Sequence, residues 1–252
     1  MDKHLYIITG ASRGMGLALA QQLILPGNAL LCISRNTTDA LTLMAKEQHV
    51  PLTQWSADLN DASPTAELLK AWLAEPSIAY HSATLINNAG MIPQIAPLSD
   101  VPTDEITRAL RVGLEAPMLL TSAFLQATAA WRIPKKVLNI SSGLGRRAMA
   151  SQAGYCAAKA AMDHFTRCVA LEEALKPHGA NICSLAPGVI DTDMQVQLRS
   201  AAQEDFPDIA NFISMKNQGS LTSPFDAAGR LIAYLSRADF GSNPVADVRD
   251  IA

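Results

Sequence analysis

The chain reads as an α/β fold: a single-domain, Rossmann-type doubly wound parallel sheet with helices on both faces. Three observations predict it. Short apolar runs alternate with segments of helical spacing along almost the whole length. A glycine-rich turn follows the first apolar run, where open parallel sheets take their ligands. The 252 residues, 49% of them hydrophobic, fill one core at a length that α/β folds reach as one unit.

In order, HLYIITG is a short apolar run closed by Gly10, as suits a buried parallel strand. GMGLALAQQLIL follows at helical spacing and stops at Pro26 and Gly27, a helix-ending pair. ALLCIS and LTQWSA read as the next two strands, with the helix DALTLMAKEQ between them. Ser63 and Pro64 open the helix TAELLKAWLAE, and ATLIN is a fourth strand. A long helical segment spans about residues 103–131, and Pro117 should kink or reset it. KVLNIS, the helix SQAGYCAAKAAMDHFTRCVALEEAL and ANICSLA carry the alternation to a sixth strand. From 187 to about 223 it lapses into a polar, irregular excursion. SPFDAAGRLIAYL then returns to helix, and PVADVRDI fits a last strand.

A net charge of -3 and scattered Lys and Arg give no basic field for nucleic acid. The four cysteines form no CxxC pair and lie in apolar segments, so free, buried thiols in a reducing compartment are expected. The start MDKHLYIITG runs straight into a strand without a leader pattern, and no apolar stretch is long enough to span a bilayer. A cytoplasmic protein with no membrane partner and no metal is the expectation.

TGASRGMG sets Gly10, Gly14 and Gly16 between a strand and a helix. Glycines there let the backbone turn tightly and approach a pyrophosphate at a helix N-terminus. Alone, an ordinary Gly-rich turn is an equal reading. The second strand ends in CISRN, with Arg35 where an acid would select NAD, and Arg13 adds a guanidinium inside the glycine turn. Guanidinium suits bidentate phosphate contact, although each arginine alone could be a solvated surface residue.

The Gly-x-x-x-Gly-x-Gly spacing resembles the short-chain dehydrogenase/reductase family, and the resemblance runs along nearly the whole chain. NNAG at 87–90 follows the fourth strand, ISS at 140–142 the fifth and PGVIDT at 187–192 the sixth. Tyr155 and Lys159 reproduce the family's Tyr-x-x-x-Lys, thirteen residues after Ser142. The resemblance implies a nicotinamide cofactor, taken with Arg13 and Arg35 to be NADP(H). Its contacts would be Gly10, Ser12, Arg13, Gly14, Met15, Gly16, Arg35, Asp58, Leu59, Asn88, Ala89, Gly90, Tyr155, Lys159, Pro187, Gly188, Val189 and Thr192. It also implies that Tyr155 is the proton donor, that Lys159 tunes it and holds the ribose, and that Ser142 binds the substrate oxygen. The chemistry is coherent. A free phenol titrates near 10, and a neighbouring ammonium lowers that value. A half-buried core tyrosine is the plainer account of Tyr155 by itself.

One position departs from the family, whose helix after NNAG carries an Asn in a VNL-like setting that supports a proton relay. Here the stretch is VGLEAP, with Gly113 in that place, so a gap filled by water or an impaired relay is expected. The stretches around Tyr155 and Met194 are similar to the branch of sepiapterin and bacterial benzil reductases, which implies reduction of a carbonyl beside a second carbonyl. Ser142, Gly143, Leu144, Met149, Val189, Met194 and Asp247 are the expected substrate contacts. Asp247 would anchor donor groups or stand solvated in a fraying tail. An alcohol or polyol dehydrogenase and a cofactor-binding regulator of low turnover stay open. Family members associate through their two long helices, so a homodimer or homotetramer is expected here, through apolar residues such as Phe165, Cys168, Val169, Leu171 and Leu175.

Overall fold

The computed structural model describes residues 3–75 and 79–250. Seven strands form one sheet: β1 (Lys3–Thr9), β2 (Asn28–Ser34), β3 (Leu52–Ser56), β4 (Tyr80–Asn87), β5 (Lys135–Ile140), β6 (Asn181–Ala186) and β7 (Val245–Asp247). Their spatial order is β3-β2-β1-β4-β5-β6-β7, and every pair is parallel. The order reverses between β1 and β4, and a crevice opens at that point beyond the strands' carboxyl ends.

Both faces are covered, which explains why the strands read as apolar runs rather than alternations. Ile8, Leu30 and Cys32 point to the face carrying α1 (Gly14–Leu23), α2 (Asp39–Glu47) and α9 (Pro224–Leu235). Leu5, Ile7, Leu31 and Ile33 point to the other, where α3 (Ser63–Ala74), α5 (Ala116–Ala127) and α6 (Ala153–Ala174) pack. Between α5 and β5's neighbours, Asn87 donates to Thr121 Oγ1 and Asn139 Oδ1, and Asn139 donates to Thr166 Oγ1. These buried amides fix the middle of the sheet against two helices.

Four expectations change. The long helix breaks before Pro117, not at it. α4 (Thr103–Leu110) runs into a π-helical turn, Arg111–Glu115, and Pro117 sits in the first turn of α5. Proline cannot donate to the carbonyl of Gly113 and its ring crowds that oxygen, so the preceding turn widens. The excursion is not wholly irregular. It contains α7 (Asp193–Arg199) and α8 (Ile209–Asn217). Leu198, Phe206, Ile209 and Phe212 pack on Ile92 and Ile95 in a separate small core, a tertiary contact that local polarity hid. The last strand covers three residues, and Ile251 lies outside the described residues.

The fourth change concerns α6. Only Cys32 and Cys183 are buried. Cys156 is partly exposed and Cys168 exposed, because half of the helix faces away from the sheet. Val169 is likewise inside the subunit, whereas Leu171 and Leu175 are 72% and 87% exposed. Among the described residues, no helix is long and apolar enough to cross a membrane.

Candidate active site

The residues named above as cofactor and substrate contacts all line one cleft of about 1210 Å³. Gly113 does not. At one end the cleft is made by backbone. Gly10 and Gly14 take φ of +69° and +54°, which only glycine adopts freely. A Cβ at Gly16 would stand 2.1 Å from the Gly10 carbonyl oxygen, so this position admits no side chain. The Asn88 side chain donates to the carbonyls of Thr9 (2.9 Å) and Gly10 (3.3 Å), while Thr9 Oγ1 accepts from the amides of Asn88 and Ala89. Asn88 thus braces the turn as well as lining the cleft. Asp58 caps the short turn Leu59–Asp61 by accepting from Asn60 N.

The two arginines differ. Arg13 Nη1 donates to Asp193 Oδ2 at 2.6 Å, bridging the glycine turn to the start of α7. Among the described residues, the Arg35 guanidinium has no hydrogen bond or salt bridge. Beside it Ser34 Oγ is buried without a partner, a residue that sequence reasoning missed. An unsatisfied buried hydroxyl next to a free guanidinium in a crevice with glycine walls fits the ribose end of a phosphorylated dinucleotide.

The centre of the cleft joins β5 to α6. Ser142 caps the turn Gly143–Gly145, its Oγ accepting from Leu144 N at 3.1 Å, and the same hydroxyl hydrogen-bonds the Tyr155 phenol. Tyr155 and Lys159 stand one turn apart on α6, with Lys159 Nζ 5.7 Å from the phenol ring's centre. Burial pushes the Tyr155 phenol up to about 12, the hydrogen bond with Ser142 acting the other way. The phenol thus stands above its ordinary value of 10.0, opposite to the lowering expected from the ammonium. Burial also brings Lys159 down to about 8, against the pull of Asp163. A protonated phenol, a hydroxyl and an ammonium converging on one space can bind a carbonyl oxygen and protonate it.

The gap expected at Gly113 is absent. A Cβ there would meet the Ala158 Cβ at 3.3 Å, so α6 already fills the place. Lys159 Nζ instead donates directly to the Ile140 carbonyl at 2.8 Å.

Behind these residues lies Asp163, almost fully buried on α6. Its Oδ1 accepts from Ser141 and Ser184 at 2.6 Å each, and its Oδ2 from Arg146 Nε at 3.1 Å. Arg146 also donates to the Ala246 carbonyl in β7 at 2.9 Å. One carboxylate thereby ties β5, β6, the Ser142 turn and the last strand together. Asp247 is neither solvated nor free. It is 4% exposed in β7, and the Arg249 backbone and guanidinium take both carboxylate oxygens. The hydrogen bonds from the Arg249 guanidinium hold its carboxyl below the usual carboxylate range, against the effect of burial. Arg249 and Asp163 were not singled out from the sequence. Arg249 follows Asp247 by two residues, a signal that could have been read.

The comparisons agree with this geometry. A model of the family described as short chain dehydrogenase matches residues 4–203. The chain is 36% identical over 242 residues to a benzil reductase ((S)-benzoin forming) of Bacillus cereus, covering 95% of this chain and 96% of that one. It is 30% identical over 257 residues to the sepiapterin reductase of Meriones unguiculatus, covering 97% and 95%. A solved short-chain dehydrogenase/reductase from Burkholderia vietnamiensis is 33% identical, with a TM-score of 0.64 and 99% of each chain covered. Agreement that runs unbroken from the glycine turn through the helix of Tyr155 makes the chain a member of the short-chain dehydrogenase family, an oxidoreductase that binds a nicotinamide cofactor and acts at a CH–OH/C=O centre.

Proposed function

We propose that the protein is an NADPH-dependent carbonyl reductase whose substrate carries a second carbonyl beside the reacting one. The observation that carries this reading is the grouping of Tyr155, Ser142 and Lys159 in one cleft whose cofactor end holds Arg35, a guanidinium without a partner among the described residues. When bound, the cofactor supplies hydride to the carbonyl carbon. Ser142 donates to the carbonyl oxygen and favours the charge that develops on it. Tyr155 gives that oxygen its proton. Lys159, anchored on the Ile140 carbonyl, keeps a positive charge near the phenol and is placed to hold the ribose hydroxyls.

Selection of NADPH over NADH rests chiefly on Arg35 and the unpartnered Ser34 hydroxyl, since Arg13 is engaged by Asp193. The similarity to benzil and sepiapterin reductases supports the dicarbonyl substrate. We further infer a homodimer or homotetramer in a cytoplasmic setting, with Leu171 and Leu175 on the contact face of α6. The test is NADPH oxidation followed by absorbance with benzil, with NADH run in parallel. Rapid loss of NADPH absorbance and slow loss with NADH are expected. No turnover with benzil, together with oxidation of polyols, would replace this reading with a dehydrogenase.

A further inference from the structure

The substrate end of the cleft contains a guanidinium that neither the cofactor reading nor the catalytic residues use. Arg249 follows β7, and its side chain is 60% exposed toward the cleft it lines. Its Nη2 lies 3.7 Å from the point where a Cβ on Gly143 would stand, one residue along the chain from Ser142. The side chain is not loose. Nε donates to Asp247 Oδ1 at 2.8 Å and Nη2 to Asp247 Oδ2 at 2.6 Å, a two-pronged fork from a buried carboxylate. Of an arginine's five N–H donors, these bonds use two; the rest of the planar group is held rigid beside the Ser142 turn.

We propose that Arg249, positioned by Asp247, is the docking donor for the second oxygen of the substrate, and that this oxygen is a neutral carbonyl. The assignment rests on the dicarbonyl reading above and supplies the residue that would distinguish such a substrate from a simple ketone. Position favours it: in the reading above Ser142 meets the reacting oxygen, and the guanidinium reaches Gly143, the next residue of the same turn. Charge decides the class of oxygen. Asp247 already balances Arg249, and Asp250 adds a further negative influence on it. The neighbouring Arg146 is committed to Asp163 and the Ala246 carbonyl. A strong, oriented donor in a pair of no net charge suits a neutral acceptor and gives a carboxylate little extra.

The experiment compares the wild-type protein with Arg249→Ala and Arg249→Lys on three probes. Benzil has the second carbonyl, deoxybenzoin lacks it, and phenylglyoxylate carries a carboxylate in its place. Binding to the protein saturated with NADP is measured by calorimetry, and turnover separately by NADPH absorbance. Arg249→Ala is expected to weaken benzil binding by about tenfold or more, the scale of a lost bond to a charged donor. Deoxybenzoin should change by less than about threefold, and Arg249→Lys should recover only part of the benzil loss because it lacks the fork. Equal losses on benzil and deoxybenzoin, no loss on either, or no benzil binding to the wild type would each overturn the assignment. Wild-type preference for phenylglyoxylate over benzil would overturn the neutral oxygen. Tight, Arg249-dependent benzil binding without NADPH oxidation would leave the assignment standing and sink the reductase reading instead.

Discussion

The two ends of the cleft are built by different means. The glycine turn after β1 is defined by backbone: positive φ at Gly10 and Gly14, a close approach at Gly16, and carbonyls braced by Asn88. The substrate end is defined by side-chain charge. Asp163 holds Arg146, Asp247 holds Arg249, and Asp191 holds Lys216 at 2.5 Å. A backbone mould recognises what every dinucleotide shares and admits little variation. A lattice of ion pairs can be rewired one residue at a time, so it is where specificity can diverge within one fold.

The contrast can be broken first at its meeting point. Tyr155→Phe keeps the ring but removes the proton, and should cut carbonyl reduction by about 10²–10⁴-fold with NADPH affinity nearly intact. Steady-state kinetics and a cofactor titration check both halves of that statement. Asp163→Ala attacks the charged end, stranding Arg146 and two buried hydroxyls. A loss of about 3–5 kcal/mol in urea unfolding is expected, as for a broken buried pair. A loss below about 1 kcal/mol, typical of a surface pair, would mean that the scaffold is not built on this carboxylate.

The pH response follows from Lys159. Its value of about 8 lies below the ordinary 10.5, so between those pH values the unfolded chain binds more protons than the folded one. Stability contributed through this group therefore rises with pH in that window. Activity moves the other way: reduction uses the ammonium, which is present below about 8 and lost above it. Reductive kcat/KM should fall by about tenfold per pH unit beyond that point.

How much of this was legible in the sequence follows the same division. The strand alternation and the glycine turn could be read because short-range geometry dictates them, whereas Ser142, Tyr155 and Lys159 stood out through the resemblance to a family. α7 and α8 could not, since Phe206 and Phe212 find their partners in Ile92 and Ile95, more than a hundred residues earlier. Nor could the orphaned Ser34 hydroxyl, or the capture of Arg13 by Asp193, which are facts of packing. Gly113 is instructive because a missing side chain implies either a water-filled gap or an impaired relay, and packing speaks only to the first. Gly113 lies in the π-helical turn, and the Ala158 Cβ on α6 stands 3.3 Å from where its Cβ would be, so little gap remains there.

Two smaller effects sharpen the comparison. Gly113→Asn should destabilise the protein by about 1–3 kcal/mol, the usual result of overpacking, without raising turnover. Faster reduction by this variant would show that an open relay position had been restored. Asp193→Asn releases Arg13 from an exposed pair, with 67% and 74% of the two side chains accessible, so stability should shift by no more than about 1 kcal/mol. NADPH should bind slightly tighter and NADH unchanged, read by fluorescence titration of each.

The bond from Arg146 to the Ala246 carbonyl spans 100 residues of sequence, so the two ends of the cleft draw on very different lengths of chain. Chains emerge from the ribosome amino end first, at about 5–20 residues per second. The glycine turn and its Asn88 brace are complete once residue 90 has emerged. The turn bearing Ser142 must wait for β7, synthesised more than a hundred residues later. At that rate, the residues that brace the reactive corner are synthesised several seconds at least after those of the glycine turn, so the chain that chemistry needs is completed last.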